Sequence, residues 1–509
     1  MDDLYNKIKT IAELGEIAAE LKKRKKKIVH CHGVFDLVHP GHIRHLALAK
    51  KEGDILVVTV TADKFVKRGP GRPIFNENLR AETLAALGSV DFVGIDHNPT
   101  AVDAIKAIKP DVYVKGQEYE NKDKDVTGKI FDEEEAVTSV GGKLFFTDDI
   151  TFSSSKLINE HLEVYPPEIR KYLRNISEKY PINTIVDHLR SMKKLKILVI
   201  GDAIIDQYDY CESMGRSLKA HIVVTRHLSA ESFAGGVFAT ANNIAGLCGE
   251  VHLVSVLGTK DSHENFVKDH LKPNITTKYF YKDGVPTTIK RRFVDQALNR
   301  KMFQICYMND DPIAKEQESE IARYVEKIVG DFDLVVISDF GHGLLGNILV
   351  KTICAKAKFL TINAQTNSAN TGFNLITKYP RADYISIDEP EIRLAAHEKH
   401  LDLEDVMKKI SENHDYNNLT VTRGSNGSIF YSSQKGFHES PALASKVVDA
   451  IGAGDAFYAF TAPCVAQGLP QDLTSFIGNA VGALAVQIVC NREPVDVVDL
   501  IKYMTRLLK

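Results

Sequence analysis

The sequence predicts a two-domain α/β protein, each domain built on a parallel β-sheet with crossover helices, and three observations support this. At 509 residues the chain is too long for a single hydrophobic core. From residue 28 onward, short apolar segments alternate with helical segments, which is the pattern of a parallel sheet. The alternation breaks at residues 163–167, Glu-Val-Tyr-Pro-Pro, and an apolar strand over 196–200 starts a second α/β unit. We therefore expect a leader helix over 1–27, a first domain over 28–160, a linker with a leading helix over 161–194 and a second domain over 195–509.

The composition is that of a soluble globular protein, with 44% hydrophobic and 26% charged residues. A net charge of −3 gives no general nucleic-acid signature, and no apolar run is long enough to span a bilayer. The seven cysteines show no paired spacing, which favours reduced thiols over a zinc cluster. The polar N-terminus lacks the apolar core of a signal peptide. We expect a cytoplasmic protein with no nucleic-acid or membrane partner.

An amphipathic segment over residues 3–24, ahead of the first domain, predicts the leader helix. The basic run over 22–27 is interpreted as the solvated end of this helix, with polyanion binding or an import signal as the alternative. Strands are predicted over 28–30, 55–60, 90–95, 111–115 and 143–147. Because ligands of parallel sheets bind at the carboxyl ends of the strands, residues that follow these strands are the candidate site.

The first strand runs into Cys-His-Gly-Val-Phe-Asp-Leu-Val-His-Pro-Gly-His, residues 31–42, just before a predicted helix. Pro40 suits the first helical turn, and Gly41 permits close approach of the backbone. His39 and His42 are three residues apart, so they share one face of the helix. Two imidazoles at a helix N-terminus can clamp the phosphates of a nucleotide. A metal site is the weaker alternative, because no third ligand lies close in the sequence.

The His-x-Gly-His motif after Gly-x-Phe-Asp resembles the cytidylyltransferase-like nucleotidyltransferase family, and further family motifs recur in order up to residue 160. The resemblance implies a Rossmann-like nucleotidyltransferase domain in which His39, His42 and Lys67 are catalytic, together with Mg²⁺. A sugar-phosphate oxygen attacks the α-phosphorus of a nucleoside triphosphate and expels pyrophosphate. Ser153 to Ser155 also fit a simple helix N-cap. The resemblance places the nucleotide and its phosphates at Gly33, Phe35, Arg80, Lys115, Ser153, Ser154 and Ser155.

In the second domain, the most informative segment is Val-Asp-Ala-Ile-Gly-Ala-Gly-Asp-Ala-Phe, residues 448–457. The turn Gly452, Ala453 and Gly454 has almost no side chains, so its backbone N–H groups can point at an anion. A helix that starts here adds the attraction of its dipole. Asp455 is then placed to act as the base for a hydroxyl that attacks a phosphoryl group. The layout is that of a small-molecule kinase, and a tight turn with an N-capping aspartate is the structural alternative.

These ten residues resemble the signature of the ribokinase-like (phosphofructokinase-B, PfkB) sugar kinases. The resemblance implies a ribokinase-like α/β domain with a small β-lid, which in this family often forms homodimers. It implies Asp455 as the catalytic base and the amides of Gly452, Ala453 and Gly454 as the anion hole. It places ATP at Thr422, Gly424, Gly427 and Asn479, the sugar at Asp202, Asp206, Gly235, Gly236, Asn243 and Arg292, and Mg²⁺ indirectly at Glu391.

The sequence departs from this family in three places. Ala239 stands where asparagine is usual, His342 replaces a lysine, and Asn-Ala-Gln over 363–365 replaces Asp-Pro-Lys. Two basic clusters, Lys-Arg-Arg over 290–292 and Asn-Arg-Lys over 299–301, suit the existing phosphate of a sugar phosphate, with exposed strand charges as the alternative. The departures leave the identity of the sugar open.

Together the two regions resemble the bifunctional heptose-phosphate kinase and heptose-1-phosphate nucleotidyltransferase family, with the order of the two domains inverted. The resemblance implies Mg²⁺, ATP for the kinase, ATP or CTP for the nucleotidyltransferase, and sugar phosphates as substrates. A homodimer is expected. Two alternatives stay open: a polyol or non-heptose sugar phosphate activated with CTP, and a kinase-like domain that only senses a sugar.

Overall fold

The computed structural model describes residues 5–66, 73–117, 129–147, 165–298 and 300–509. The chain divides into two compact units, Met1–Arg170 with Ile501–Lys509, and Lys171–Leu500. Both units contain parallel strands connected by helices, which confirms the predicted α/β class. Within these described ranges, no helix has the length and apolar character needed to cross a membrane.

The first unit contains a six-stranded sheet in which neighbouring strands are parallel. Its strands are β1 (Ile8–Lys9), β2 (Ile28–Gly33), β3 (Ile55–Thr61), β4 (Phe92–Asp96), β5 (Val112–Gly116) and β6 (Lys143–Thr147). Their spatial order is β1-β4-β3-β2-β5-β6. The strand order reverses between β2 and β5, and ligands of such sheets bind at this point.

Helices cover both faces of this sheet. They are α1 (Ile11–Lys23), α2 (Pro40–Lys51), α3 (Glu77–Ala85), α4 (Val102–Ile108) and α5 (Lys129–Ser139). Ile28 of β2 packs in a cluster with Leu14 of α1, whereas the next residue, Val29, packs in a cluster with Leu46 of α2. Successive residues of a strand point to opposite faces, so β2 packs against helices on both sides of the sheet.

The predicted leader helix was wrong at its beginning. Residues Ile8–Lys9 form β1, which pairs with Val93 and Gly94 at the edge of the sheet. Helix α1 starts only at Ile11, because Thr10 and Glu13 form a capping box. The Thr10 hydroxyl accepts from the Glu13 amide at 3.2 Å, and the Glu13 carboxylate accepts from the Thr10 amide at 2.7 Å.

The second unit contains a nine-stranded sheet. Its strands are β7 (Lys196–Gly201), β10 (Glu250–Lys260), β11 (Ile275–Pro286), β14 (Leu334–Asp339), β15 (Leu360–Ala364), β17 (Tyr384–Asp388), β19 (Asn418–Thr422), β20 (Ser428–Ser432) and β21 (Gly436–Ser440). The spatial order is β11-β10-β7-β14-β15-β17-β19-β20-β21, parallel up to β19 and antiparallel at the last two strands. A separate parallel pair joins β16 (Arg381–Ala382) and β18 (Asp415–Tyr416).

Four strands of this unit form a separate sheet, which we call the lid sheet. They are β8 (Ala203–Arg216), β9 (Val223–Gly236), β12 (Thr288–Asp295) and β13 (Arg300–Tyr307), in the order β13-β12-β8-β9. Strand β8 begins two residues after β7 ends, so the lid sheet leaves the nine-stranded sheet at Asp202. The small β-lid that the resemblance implies is therefore present.

The helices of the second unit include two that precede its first strand. The set is α6 (Pro167–Lys179), α7 (Ile182–Ser191), α8 (Val237–Leu247), α9 (Glu264–His270), α10 (Lys315–Ile328), α11 (Asn347–Lys356), α12 (Glu389–Ala396), α13 (Leu403–Asn413), α14 (Ala453–Ala466) and α15 (Gln471–Ala485). The last helix, α16 (Val497–Leu507), begins in the second unit and has most of its residues in the first. Tyr172 of α6 lies 2.9 Å from the Ser440 hydroxyl, and the Tyr180 hydroxyl donates to Asp472 at 2.8 Å. The segment predicted as a linker is therefore packed, from Lys171 onward, into the second unit.

Candidate active sites

In the first unit, the predicted histidine pair lies at the start of α2, directly after β2. His39 is the N-cap of this helix, and its Nδ1 accepts a hydrogen bond from the Gly41 amide at 3.1 Å. The rings of His39 and His42 stack with centroids 4.0 Å apart, and the Phe35 ring meets His42 edge-on at 5.3 Å. Burial lowers the pKa of His39. The two imidazoles thus form one unit at a helix N-terminus, where anions bind.

The loop between β2 and α2 closes around Phe35. A Cβ at Gly33 would lie 3.0 Å from the Phe35 ring, so a side chain there would press on the ring. Asp36 is buried and accepts hydrogen bonds from the amides of Ile74 at 2.6 Å and Phe75 at 3.3 Å. Asp36 therefore connects the histidine loop to the segment that precedes α3.

Arg80 holds loops together at this end of the sheet. Its guanidinium is buried and donates to the carbonyls of Val34, Thr61 and Phe75, at 2.5 to 2.9 Å. It also pairs with Asp63 at 2.5 Å. These protein contacts engage the guanidinium, so the structure supports a positioning role, and the nucleotide contact of Arg80 stays a prediction.

Lys115 lies at the end of β5, beside the point where the strand order reverses. Its ammonium forms a buried ion pair with Glu133 at 2.7 Å and lies 5.3 Å from the centroid of the Tyr113 ring. A phosphate that binds at Lys115 therefore has to share the ammonium with Glu133. Lys67 and Ser153, Ser154 and Ser155 lie outside the described residues, so their predicted roles stay predictions.

In the second unit, Gly452 allows the start of α14. It is the N-cap and has a φ of 81°, and a Cβ there would lie 2.0 Å from Asn491 Oδ1. The helix begins at Ala453, and the amides of a first turn lack intrahelical acceptors. The Ala453 amide donates to the Ala450 carbonyl at 3.3 Å. Gly454 is therefore the better donor to an anion. Apart from its chain neighbours and its own helix backbone, no heavy atom of the described residues lies within 4 Å of a Cβ placed there.

Asp455 lies in this first turn and is buried. Burial raises the pKa of its carboxyl group from 3.8 to about 6, although a hydrogen bond from Gln365 acts in the opposite direction. That bond, from Gln365 Nε2 to Asp455 Oδ1, measures 2.6 Å. Gln365 also donates to Asn363 Oδ1 at 2.9 Å. The residues that replace Asp-Pro-Lys thus hold the carboxylate in a fixed orientation, where it can take a proton from a hydroxyl.

The predicted sugar-binding acids lie where the lid sheet leaves the main sheet. Asp206 pairs with Arg292, and a Cβ at Gly235 would lie 2.0 Å from Asp206 Oδ2, so only glycine fits there. Asp202 accepts from the amides of Phe340 at 2.8 Å and His342 at 3.2 Å. Burial, with the neighbouring charge of Asp339, raises the pKa of Asp202 to about 6.

Gly236 and Asn243, which were also predicted to bind the sugar, make close contacts with other residues of the protein. Gly236 adopts a φ of 54°, and a Cβ there would lie 2.8 Å from the Asp202 carbonyl. The Asn243 amide group donates to the Ala239 carbonyl and accepts from the Val495 amide, both at 2.9 Å. Contact between Asn243 and a sugar stays a prediction.

A cavity beside Asp202 contains the histidine that replaces the family lysine. It is lined by Asp202, Gly258, Lys282, Thr287, Thr288 and His342, among others. Burial, with the nearby charge of Lys290, lowers the pKa of His342 to about 4, so the ring is uncharged at neutral pH. Both ring nitrogens are buried without a hydrogen-bond partner among the described residues. A neutral imidazole has one donor and one acceptor, so this cavity suits a polar group.

The predicted ATP-binding residues lie at the antiparallel edge of the large sheet. Thr422 ends β19, and Gly424 and Gly427 both have positive φ in the turn before β20. A Cβ at Gly427 would lie 2.0 Å from the Ser440 carbonyl, so the turn requires glycine. Asn479 of α15 donates to the Ser428 hydroxyl at 2.8 Å, which fastens the helix to this edge.

Glu391 and Asp388 form a pair of carboxylates at the start of α12. They form a capping box, and Glu391 also accepts from the Thr366 amide at 2.9 Å. Burial and the neighbouring charge of Asp388 raise the pKa of Glu391 to about 8. Among the described residues, no group of three or more His, Cys, Asp or Glu side chains could hold a metal. A carboxylate pair fits Mg²⁺, which commonly binds one or two carboxylates and otherwise water and substrate phosphates.

Asn491, beside the Gly452 turn, was missed by the sequence analysis, and Gln365 and Lys301 were noted there without the contacts that they make. Gln365 was noted only as a departure from the family motif. Asn491 lies in no recognisable motif. Both Asn491 and Lys301 approach the turn because the loop after α15 and the lid sheet fold towards it. All seven cysteines are free thiols, as their spacing predicted.

Comparisons with known proteins match both units. The model of the pfkB family carbohydrate kinases matches residues 194–495, more than half of the chain, and the Cytidylyltransferase-like model matches residues 30–160. The second region is similar in fold to phosphofructokinase-2 from Escherichia coli in complex with substrates and products. That similarity has a TM-score of 0.50 at 15% identity, over 62% of this chain and 100% of that chain.

Curated relatives match a smaller part of the chain. The "Bifunctional protein HldE" of Aliarcobacter butzleri (strain RM4018) is 46% identical over 139 residues, which is 27% of this chain and 29% of the relative. The protein of the same description from Trichlorobacter lovleyi is 34% identical over 169 residues, 33% of each chain. The matched segment spans only a quarter to a third of the length of such relatives. From the match over residues 194–495, the chain belongs to the pfkB family of carbohydrate kinases and carries a cytidylyltransferase-like region before its kinase region.

Proposed function

We propose that the protein is a bifunctional enzyme of nucleotide-activated sugar synthesis. One unit phosphorylates a sugar or sugar phosphate with ATP, and the other transfers a nucleotidyl group to a sugar 1-phosphate. The observation that carries the proposal is the buried Asp455 at the N-terminus of α14, beside a glycine turn that leaves room for an anion. The pairing of both family regions in one chain supports the second activity.

In the kinase reaction, Asp455 takes the proton of the acceptor hydroxyl as its oxygen attacks the γ-phosphorus of ATP. The bond between that phosphorus and the bridging oxygen of ADP breaks. The amide of Gly454 and the dipole of α14 stabilise the charge on the transferring group. A base with a pKa of about 6 is ionised at neutral pH and is a stronger proton acceptor than an ordinary aspartate.

Mg²⁺ fits beside Glu391 and Asp388, where it would neutralise charge on the ATP phosphates. The edge formed by Thr422, Gly427 and Asn479 is proposed to hold the nucleotide. Asp202, Asp206 and the cavity at His342 are proposed to hold the acceptor. With Asp455 as the base, this assignment gives Mg²⁺, the nucleotide, the acceptor and the base separate places in the second unit.

In the nucleotidyl transfer, a phosphate oxygen of the sugar 1-phosphate attacks the α-phosphorus of the nucleoside triphosphate. The bond between the α-phosphorus and the bridging oxygen breaks, and pyrophosphate leaves. His39 and His42 stabilise the charge on the phosphates from the N-terminus of α2. Lys67 is proposed to assist them. No covalent enzyme intermediate is required.

A heptose phosphate is the proposed acceptor, because the two regions together resemble the bifunctional heptose-phosphate kinase and heptose-1-phosphate nucleotidyltransferase family, and the curated relatives share the description "Bifunctional protein HldE". We also propose a homodimer through the lid sheet. Several large apolar side chains of that sheet are exposed, including Met214, Val223 and Phe303, as expected for a surface that a second copy covers.

The test uses two variants that serve as controls for each other. Asp455→Asn should abolish phosphoryl transfer and leave pyrophosphate release intact, whereas His42→Ala should have the opposite effect. The measurement is mass spectrometry of the products from ATP or CTP with a panel of heptose, hexose and polyol phosphates. A substitution that left its own reaction unchanged would disprove that assignment. Binding of a sugar phosphate without turnover of ATP would support the sensing alternative instead.

A further inference from the structure

A charged contact between a partly exposed lysine and a buried carboxylate joins the lid sheet to the segment just before the Gly452 turn. Lys301, on lid strand β13, donates from Nζ to Asp449 Oδ1 at 2.5 Å. Asp449 lies just before the Gly452 turn and is only 6% exposed. The ammonium of Lys301 lies 5.6 Å from the centroid of the Tyr208 ring, which shields one side of the contact. Two segments far apart in sequence therefore meet through a lysine and a carboxylate.

Asp449 also accepts a hydrogen bond from the backbone next to the turn. The oxygen that accepts from Lys301 also accepts from the Ile451 amide at 3.1 Å. Its other oxygen accepts from the Tyr208 hydroxyl at 2.7 Å and the Cys490 amide at 3.1 Å. Ile451 directly precedes Gly452, so this carboxylate holds the backbone immediately before the N-cap of α14.

A second contact between the lid sheet and the turn runs through Asn491. The Asn491 side chain lies against Gly452, where a Cβ would approach its Oδ1 to 2.0 Å. The Asn491 Nδ2 atom lies 3.4 Å from Oδ2 of Asp206, which belongs to lid strand β8. Contacts from β8 and β13 therefore converge on the same four-residue turn.

Charge gives the lysine a further role. Burial alone would raise the pKa of Asp449, yet hydrogen bonds from Lys301 and Tyr208 outweigh burial and lower it, so the group is a carboxylate. A buried carboxylate without a cation would repel the phosphoryl group that the neighbouring amides bind. Lys301 supplies that cation, because Tyr208, Ile451 and Cys490 contribute only neutral donors.

We propose that Lys301 is a positioning residue for phosphoryl transfer: through Asp449 it orders the Gly452–Asp455 turn and neutralises the charge beside the anion hole. This inference rests on the proposed kinase function. The lid sheet would then have two roles: it lies beside the proposed acceptor site, and it orders the Gly452–Asp455 turn. In this role Lys301 acts through Asp449 and needs no contact with ATP or the acceptor.

The test compares Lys301→Met with Lys301→Arg in the full-length protein. Arg300→Met is the matched control, because Arg300 is an exposed cation directly before Lys301 on the same strand. Hydrogen exchange of the peptide that covers residues 448–457 reports the order of the turn and requires no acceptor. We expect exchange about tenfold faster in Lys301→Met, the size of losing a hydrogen bond between charged groups, with the control unchanged and Lys301→Arg close to wild type.

Turnover provides the second measurement, with ATP and the best acceptor of the sugar-phosphate panel. We expect kcat to fall about tenfold in Lys301→Met, with little change in the KM for ATP. Ammonium chloride should partly restore kcat in Lys301→Ala, because a small cation can occupy the space beside Asp449. Ammonium should not affect Arg300→Met.

The double variant Lys301→Met/Asp449→Asn guards against a folding defect, since it buries no unpaired charge. Faster exchange of the turn in this double variant supports the inference. Exchange at the wild-type rate in both Lys301→Met and the double variant overturns it. If no acceptor is phosphorylated by the wild-type protein, the proposed kinase function fails, while the exchange measurement still decides whether Lys301 orders the turn.

Discussion

At Asp455, two opposing effects act on one carboxyl group. Burial raises its pKa to about 6, and the hydrogen bond from Gln365 lowers it. Gln365 belongs to the segment that departs from the family motif, and its contact with the proposed base shows that the departure affects the proposed catalytic group directly. A neutral amide in this place orients the base without holding a fixed charge beside it.

The pH dependence of the kinase reaction should follow this carboxyl group. Because the base must be ionised, we expect kcat to rise with pH, to reach half of its maximum near pH 6 and to level off about one pH unit higher. Gln365→Leu removes the hydrogen bond that lowers the pKa, so the rise should move to higher pH. Steady-state rates between pH 5 and 8 measure this, with Gln317→Leu as a surface control. A profile that does not move in Gln365→Leu would contradict the role of this bond.

At the scale of elements, the strands of the first unit were predicted well and its first helix was not. The predicted strand over 143–147 coincides with β6, and the others agree to within a few residues. Apolar patterning locates a strand because both faces of the sheet are buried. Apolar patterning could not reveal β1, since a strand of two residues is too short to show a periodic pattern. Its strand character comes from pairing with β4.

The turn before α14 contains two glycines with different physical constraints. Gly452 has a φ of 81° and Asn491 beside it, so Gly452→Ala should destabilise the second unit by about 1 to 3 kcal/mol. Gly454 has open space around a Cβ, so Gly454→Ala should leave stability unchanged. It should nevertheless lower the rate of phosphoryl transfer, because the added methyl group occupies the approach to the amide.

Thermal unfolding and kinase rates of the two glycine variants distinguish these roles. Wild-type activity in Gly454→Ala would show that the phosphoryl group does not approach this amide. Wild-type stability in Gly452→Ala would show that the turn tolerates a side chain. The two variants differ by the same methyl group, so each controls for the other.

At the scale of the whole molecule, each unit has its own apolar core, and the buried acids of the second unit act against its stability. Asp202, Glu391 and Asp455 all have raised pKa values because of burial. A carboxyl group whose pKa is higher in the folded state stabilises folding below its unfolded pKa, and that stability is lost as pH rises through the folded pKa. Such sites favour function over stability.

Asp455→Asn should therefore stabilise the second unit. The pKa is raised by about 2, so keeping this carboxylate ionised at neutral pH costs about 3 kcal/mol of folding free energy. The gain should be largest above pH 6 and should shrink as pH falls from 6 towards 4, where the wild-type group is protonated. Urea unfolding at pH 5 and pH 7, followed by hydrogen exchange of peptides from each unit, measures this. An equal gain at both pH values would contradict the assigned pKa.

The sequence by itself determined the two α/β regions, the histidine pair at the start of α2 and the glycine turn with Asp455, because each is encoded in neighbouring residues. Only the tertiary structure decided which distant groups act on them. Arg80 holds three loops, Gln365 contacts Asp455 across 90 residues, and Lys301 reaches Asp449 from the lid sheet. These contacts depend on the strand order and on how the lid sheet folds over the turn. Neither can be predicted from a local pattern of residues.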